Sequence, residues 1–180
     1  MKLFFSRHIP LFDRVLFVES GSRDIAESLL PKLYDRSPGM KLDLLTCYGG
    51  APLAFRADQG ELLSVLDYPD APSRDKLFTR LATNNYSVTG IICSAEPIMT
   101  KWKWYAAWKL PAKTLIINEN ADFFWFDRGN WRTIVHFILF RADLTGGDAV
   151  RTLLRLALFP LSIAYLLLYA AFVHTRRVLR

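Results

Sequence analysis

Short apolar runs alternate with longer segments of helical spacing along most of the chain. Arg14-Val15-Leu16-Phe17-Val18-Glu19 is an almost continuous apolar run, the pattern of a strand covered on both faces. Ser20-Gly21-Ser22 breaks it. From Asp24 to Asp35 the apolar positions Ile25, Ala26, Leu29, Leu30 and Leu33 fall at helical spacing, and Ser37-Pro38-Gly39 ends the helix. Pro31 inside this pattern predicts a kink or an early break. Lys41 to Cys47 is the second strand and Leu63 to Asp67 the third. Asp75 to Asn85 is a helix carrying Leu77, Phe78, Leu81 and Ala82. Val88 to Cys93 is the fourth strand, Ile98 to Leu110 a helix closed by Pro111, and Thr114 to Asn118 the fifth strand. This rhythm is that of βαβ units, so the class is α/β. Right-handed crossovers then predict a Rossmann-like parallel five-stranded sheet of order 3-2-1-4-5.

The C-terminal part follows another pattern. Leu156 to Val173 is an uncharged stretch of 18 residues. As a helix it is about 27 Å long, close to the roughly 30 Å of a bilayer's hydrocarbon. Arg151 and Arg155 precede it, and Arg176, Arg177 and Arg180 follow. A buried helix of a soluble domain needs a polar stripe, and this stretch offers only Ser162 and two tyrosines, so membrane insertion is expected. A single span and a re-entrant helix bent at Pro160 both satisfy the pattern. Trp131 to Arg141, at 11 residues, is too short to cross. It suits either a helix lying in the membrane interface or one covering the sheet. Thr145-Gly146-Gly147-Asp148 reads as a turn, with Asp148 capping the anchor helix. The expected organisation is a Rossmann-like domain over 1–130, an interfacial helix and linker over 131–147, and a membrane anchor over 148–180.

Charge sharpens this division. The chain of 180 residues has 23 Lys or Arg against 17 Asp or Glu, a formal charge of +6. Residues 151–180 hold five arginines and no acid, so most of the excess lies in the tail. A nucleic-acid binder spreads such charge over a folded face, so a lipid bilayer is the expected partner and nucleic acid is not. Met1 to His8 is charged before an apolar stretch of useful length forms, and no secretory signal is expected. The body is therefore placed at the cytoplasmic face of the inner membrane. Cys47 and Cys93 read as two buried thiols, and neither they nor the scattered His8, His136 and His174 have zinc spacing. No metal or cofactor is expected.

In a parallel sheet, ligands gather where the strands end. The first such loop, with Ser20, Gly21 and Ser22 ahead of a helix, can form a backbone nest for phosphate or carboxylate, or can simply cap that helix. Tyr48 and Gly49 follow the second strand. Asn118, Glu119, Asn120 and Asp122 follow the fifth and run into Phe123-Phe124-Trp125-Phe126. Amides, carboxylates and rings together suit a sugar, with Glu119 or Asp122 as a general base; the same residues also suit local capping. Glu96 and Glu119 end adjacent strands in the expected order and form a candidate acid pair. Lys101-Trp102-Lys103-Trp104-Tyr105-Ala106-Ala107-Trp108-Lys109 interleaves bases and rings. Trp102 and Trp104, with Trp131, Pro160, Arg176 and Arg177, are candidate membrane contacts. The alternative packs Trp104 and Trp108 on the sheet.

Several segments occur in an order that resembles the N-terminal half of the GT-B glycosyltransferases, nearest the ADP-heptose:lipopolysaccharide heptosyltransferase group. They are Val15-Leu16-Phe17-Val18, Leu29-Leu30-Pro31-Lys32-Leu33, Pro38 to Leu45, Asp67-Tyr68-Pro69, Leu77 to Tyr86, and Lys109-Leu110-Pro111-Ala112-Lys113. The resemblance implies work in cell-envelope glycan or glycolipid assembly, with a lipid-linked or sugar acceptor held on this half. It implies an acceptor-activating base in the first loop, for which Asp24 is the counterpart. The family binds its nucleotide sugar mainly in a second domain, so a partner chain is expected to supply that site. The rival expectation is a non-catalytic membrane scaffold that displays an interaction surface.

Overall fold

A computed structural model describes residues 3–94, 96–142 and 147–178. The chain divides into two compact units, Met1–Trp131 and Arg132–Arg180. The first is an α/β domain with strands β1 (Arg14–Glu19), β2 (Lys41–Thr46), β3 (Leu62–Ser64), β4 (Val88–Ile92), β5 (Lys113–Ile117) and β6 (Phe123–Trp125). Helices α1 (Arg23–Arg36), α2 (Ala71–Thr83) and α3 (Thr100–Lys109) connect them.

The sheet order is β3-β2-β1-β4-β5-β6, and every pairing is parallel except β5 with β6. The expected five-strand order is therefore present and extended by a sixth, antiparallel strand. β6 pairs Ile117 with Phe123 and Leu115 with Trp125 across a tight turn. Three aromatic residues directly after a polar run give too short a pattern to read as a strand. β3 is also shorter than expected, because Val65–Asp67 turns into a 3-10 helix capped by the Ser64 hydroxyl on Leu66 N.

Central strands buried on both faces explain the unbroken apolar runs. Val15, Phe17, Leu42, Leu44, Val88, Ile92, Leu115 and Ile117 face one side, where Ile25, Ala26, Leu30 and Tyr34 of α1 pack on them. α1 continues through Pro31, so of the expected kink or early break the break does not occur. Its buried residues lie on both sides of the proline, and Pro31 itself is exposed, so sheet packing holds the helix together. α2 begins at Ala71, earlier than its apolar pattern indicates, because the Asp70 carboxylate accepts from Ser73 N at 2.7 Å.

The second unit contains α4 (Trp131–Arg141, its first residue assigned to the first unit) and α5 (Gly147–Val178). In α4, Ile134 is buried while Val135, Ile138, Leu139 and Phe140 are exposed. Within α5, Leu154–Phe172 is a 19-residue window, long and apolar enough to cross a membrane and with none of it buried. It measures about 28 Å. α5 runs uninterrupted through Pro160, so the chain stays helical at the position where a bend was expected. Asp148 lies inside α5 rather than at its cap, and Thr145 and Gly146 fall outside the described residues. Arg176 and Arg177 belong to α5, but their side chains lie outside the described residues.

Candidate functional site

The polar residues at the carboxyl end of the sheet centre on one that the sequence pattern treats as the last residue of a strand. β1 and β2 pair in a register that sets Glu19 beside Thr46. The Glu19 carboxylate is wholly buried; one oxygen accepts from the Thr46 hydroxyl and the other from Arg23 Nε at 3.2 Å. Arg23 starts α1 and lies one helical turn beyond Glu19. Its remaining nitrogens donate to the carbonyls of Gly49 (3.3 Å) and Gly50 (2.8 Å), and its plane lies over the Tyr48 ring at 5.1 Å. The Tyr48 hydroxyl in turn donates to Gly21 O at 2.9 Å. A buried carboxylate thus fixes a guanidinium in the first βα turn, and that guanidinium ties down the loop after β2. Burying such a charge is costly unless it is paired and hydrogen-bonded, and Glu19 is both.

Among the predicted loop residues, Ser20, Gly21 and Ser22 mainly hold this turn together. Ser20 is fully buried and donates to Ile92 O at 2.6 Å, stitching β1 to β4. Gly21 packs so closely that a Cβ would sit 2.6 Å from Ile92 Cγ2 and 2.8 Å from Ser94 Oγ. Ser22 caps α1 by accepting from Asp24 N. Asp24 is exposed, and its carboxylate accepts from the Ser22 hydroxyl at 3.3 Å.

Tyr48, Cys47, Glu96 and Lys103 surround the same corner. Burial raises the Tyr48 phenol pKa, with Cys47, Glu96 and Glu19 adding to the rise and Arg23 opposing it. Burial likewise raises the Cys47 thiol, which Arg23 and Lys103 pull back down. Glu96 is therefore within electrostatic reach of the Tyr48 loop, as is Lys103 of Cys47. Lys103 looks from the sequence like one more surface lysine of α3, yet it is buried. Cys47 and Cys93 are half-buried rather than buried.

The β5–β6 turn is a separate feature. Asn118 Oδ1 accepts from Asn120 N (3.0 Å) and Asp122 N (2.9 Å), and Asn118 N donates to Asp122 O. Ala121 takes a left-handed conformation at φ 63°. Asn118, Glu119, Asn120 and Asp122 thus form a hairpin turn, and their hydrogen bonds are largely local. Glu119 is exposed at its tip. Since β4 separates β5 from β1, Glu119 is two strand spacings, roughly 10 Å, from the Glu19 corner. Hydrogen bonds and a cation–ring contact join Gly21, Tyr48, Gly49 and Gly50 to Arg23 or to one another around this corner, while Asn118–Asp122 form their own turn. Glu19 and Arg23 were missed in the sequence; their i, i+4 spacing across a strand–helix junction was the available signal.

α3 sets its rings apart from one another. Lys103, Ala106 and Ala107 are buried, so Trp104 and Trp108 project outward and do not pack on the sheet. Trp102, expected at the membrane, is half-buried against α2, its ring 5.8 Å from Phe78. Trp131 is exposed at the start of α4, and Pro160 is exposed on α5.

Among the described residues, no group of three or more His, Cys, Asp or Glu is placed to hold a metal ion. No protein-family model, curated protein or solved structure matches this chain.

Proposed function

We propose that this is a membrane-anchored, Rossmann-like domain of cell-envelope glycan or glycolipid assembly, which binds a lipid-linked acceptor at the carboxyl ends of β1 and β2. The observation that carries this reading is the Glu19–Arg23 pair in the first βα turn. Lipid-linked sugars are joined to their lipid through phosphate or diphosphate, and a guanidinium held in one orientation suits phosphate oxygens. Tyr48 offers a ring to the sugar, and Glu96 a carboxylate to its hydroxyls. α5 supports the reading because it can keep the domain at the surface where such lipids lie. Asp24, in the same turn, remains the candidate base for transfer, with a partner chain supplying the nucleotide sugar.

The test is thermal stability of the full chain in detergent with a panel of polyprenyl-diphosphate sugars and nucleotide sugars. Stabilisation by the lipid-linked sugars is expected, and its loss in Arg23→Lys, which keeps a cation for Glu19 but removes the planar fork. Stabilisation by none of them overturns the reading.

A second reading is a non-catalytic scaffold. It is favoured by the local hydrogen bonds of Asn118 with Asn120 and Asp122 and by the engagement of Ser20 with Ile92 O. In that case the exposed α3 face, rather than the strand ends, carries the interaction.

A further inference from the structure

Three aromatic segments far apart in sequence meet on one side of the α/β unit. The Phe4 and Phe5 rings lie 5.4 Å apart, Phe4 is 5.6 Å from Phe126, and Phe126 is 6.3 Å from Trp104. Trp108 follows Trp104 by one turn of α3 and so continues the row. A core cluster would bury such rings, yet Phe5 is 74% exposed, Trp104 52% and Trp108 68%. The row is also firmly held. Arg128 N donates to Phe4 O at 2.8 Å, and the buried Lys113 ammonium donates to the carbonyls of Ser6 (2.9 Å) and His8 (2.8 Å).

Basic groups border the row. Arg74, Lys101, Trp104, Tyr105 and Trp108 line a cavity of about 370 Å³, open to solvent. The Arg74 guanidinium stacks over Trp102 (5.8 Å) and Tyr105 (5.0 Å). α3 contributes the exposed Lys101 and Lys109 and no acid, while Lys103 is buried. The carboxylate at this end, Asp75, is engaged by the Tyr105 hydroxyl and by Lys109 at 3.6 Å. Exposed tryptophan and phenylalanine beside Arg74 and Lys101 is the chemistry of a headgroup boundary, where rings enter the acyl edge and cations meet lipid phosphate. The same polypeptide carries the apolar window Leu154–Phe172, which keeps this surface at high effective concentration near lipid.

We propose that the Phe5–Phe4–Phe126–Trp104–Trp108 ridge, with Arg74 and Lys101, docks the α/β unit onto an anionic bilayer surface. The ridge is a second membrane contact, distinct from the strand-end site and independent of what that site binds. It rests on α5 holding the chain at a bilayer. Docking restricts how the domain sits on the membrane, which a span alone does not.

The experiment reconstitutes the full chain into vesicles of phosphatidylcholine, with and without phosphatidylglycerol, containing brominated acyl chains that quench tryptophan. Strong quenching is expected in the anionic vesicles. Trp104→Phe/Trp108→Phe should lose most of it, although Trp102, Trp125 and Trp131 remain. Arg74→Gln/Lys101→Gln should lose the increment due to phosphatidylglycerol. Co-flotation with vesicles is measured in parallel. Chain that floats but is quenched equally in wild type and the tryptophan double variant overturns the ridge and leaves the span standing. Chain that fails to float overturns both.

Discussion

Lys113 Nζ lies 2.8 Å from Asp127 Oδ2, and both side chains are almost fully buried. The pair joins β5 to the segment after β6, and the same ammonium holds the Ser6 and His8 carbonyls. It therefore fixes the N-terminal segment to the far edge of the sheet. Removing one partner leaves an uncompensated buried charge, which costs about 3–5 kcal/mol. Lys113→Met should lower the urea stability of the detergent-solubilised chain by that order and expose the segment around Phe5 to limited proteolysis. Lys113→Met combined with Asp127→Leu should recover much of the loss. A single variant as stable as wild type contradicts this account.

Asp127 also predicts a response to acid. Burial alone would raise its pKa, but hydrogen bonds from Lys113 and Asn130 and the Lys113 charge outweigh burial and hold it below the usual carboxylate range. A depressed folded pKa contributes stability above the unfolded pKa and loses it as pH falls through the folded value. Unfolding midpoints should thus decline below about pH 4, and Asp127→Asn should flatten that part of the profile. An equally steep acid limb in the variant would place its cause elsewhere.

Tyr86 makes the opposite prediction at high pH. Its hydroxyl donates to Asp43 Oδ2 at 2.6 Å, while Arg14 reaches the same oxygen at 3.1 Å. Burial, then the bond to Asp43, raises the phenol well above its usual 10.0. The stabilisation is present below that unfolded value and disappears as pH rises toward the folded one. Tyr86→Phe should cost about 1–3 kcal/mol at neutral pH, since Asp43 loses a buried donor. It should also weaken the alkaline decline. Ultraviolet titration that finds every tyrosine ionising normally would refute this.

Gly60 lies directly beside β2, in the segment that leads into β3. A Cβ there would lie 1.7 Å from the Leu42 carbonyl oxygen, while Gln59 O and Glu61 O accept from Leu42 N and Leu44 N on either side. Backbone, rather than a flexible side chain, blocks the space. Gly60→Ala should destabilise by at least the 1–3 kcal/mol typical of overpacking, read from the denaturation midpoint. Full stability in that variant would mean that the loop after β2 is not held against the strand.

The span itself can be tested at its centre. Ile163→Arg places a charge midway along Leu154–Phe172, where insertion scales assign a cost of about 2.5–3.5 kcal/mol. A clear shift from the membrane fraction toward the soluble or degraded fraction is expected. Unchanged alkaline-resistant membrane association would argue against α5 as the span.

Long, consistent patterns made the fold readable, and isolated residues hid the site. β1, β2, β4 and β5 each centre on an apolar run, so their burial between helix layers was visible in the chain. β6 was not, because Phe123-Phe124-Trp125 is three residues long and gains its identity from pairing with β5. Pro31 misled because the packing of Ile25, Ala26, Leu30 and Tyr34 outweighs one lost helical bond. Glu19, Lys103 and Lys113 each look like an ordinary charge at the end of an element or in a basic stretch. Their burial depends on partners brought by the tertiary fold, such as Thr46 and Asp127, which local spacing does not encode.

Both outer strands of the sheet, β3 and β6, are only three residues long. A membrane confines molecules to two dimensions and crowds them, which favours sideways fusion of any open ladder. Tripeptide margins offer little template for such growth, so if α5 holds copies side by side on one bilayer, as proposed above, their sheets would not polymerise through their backbones.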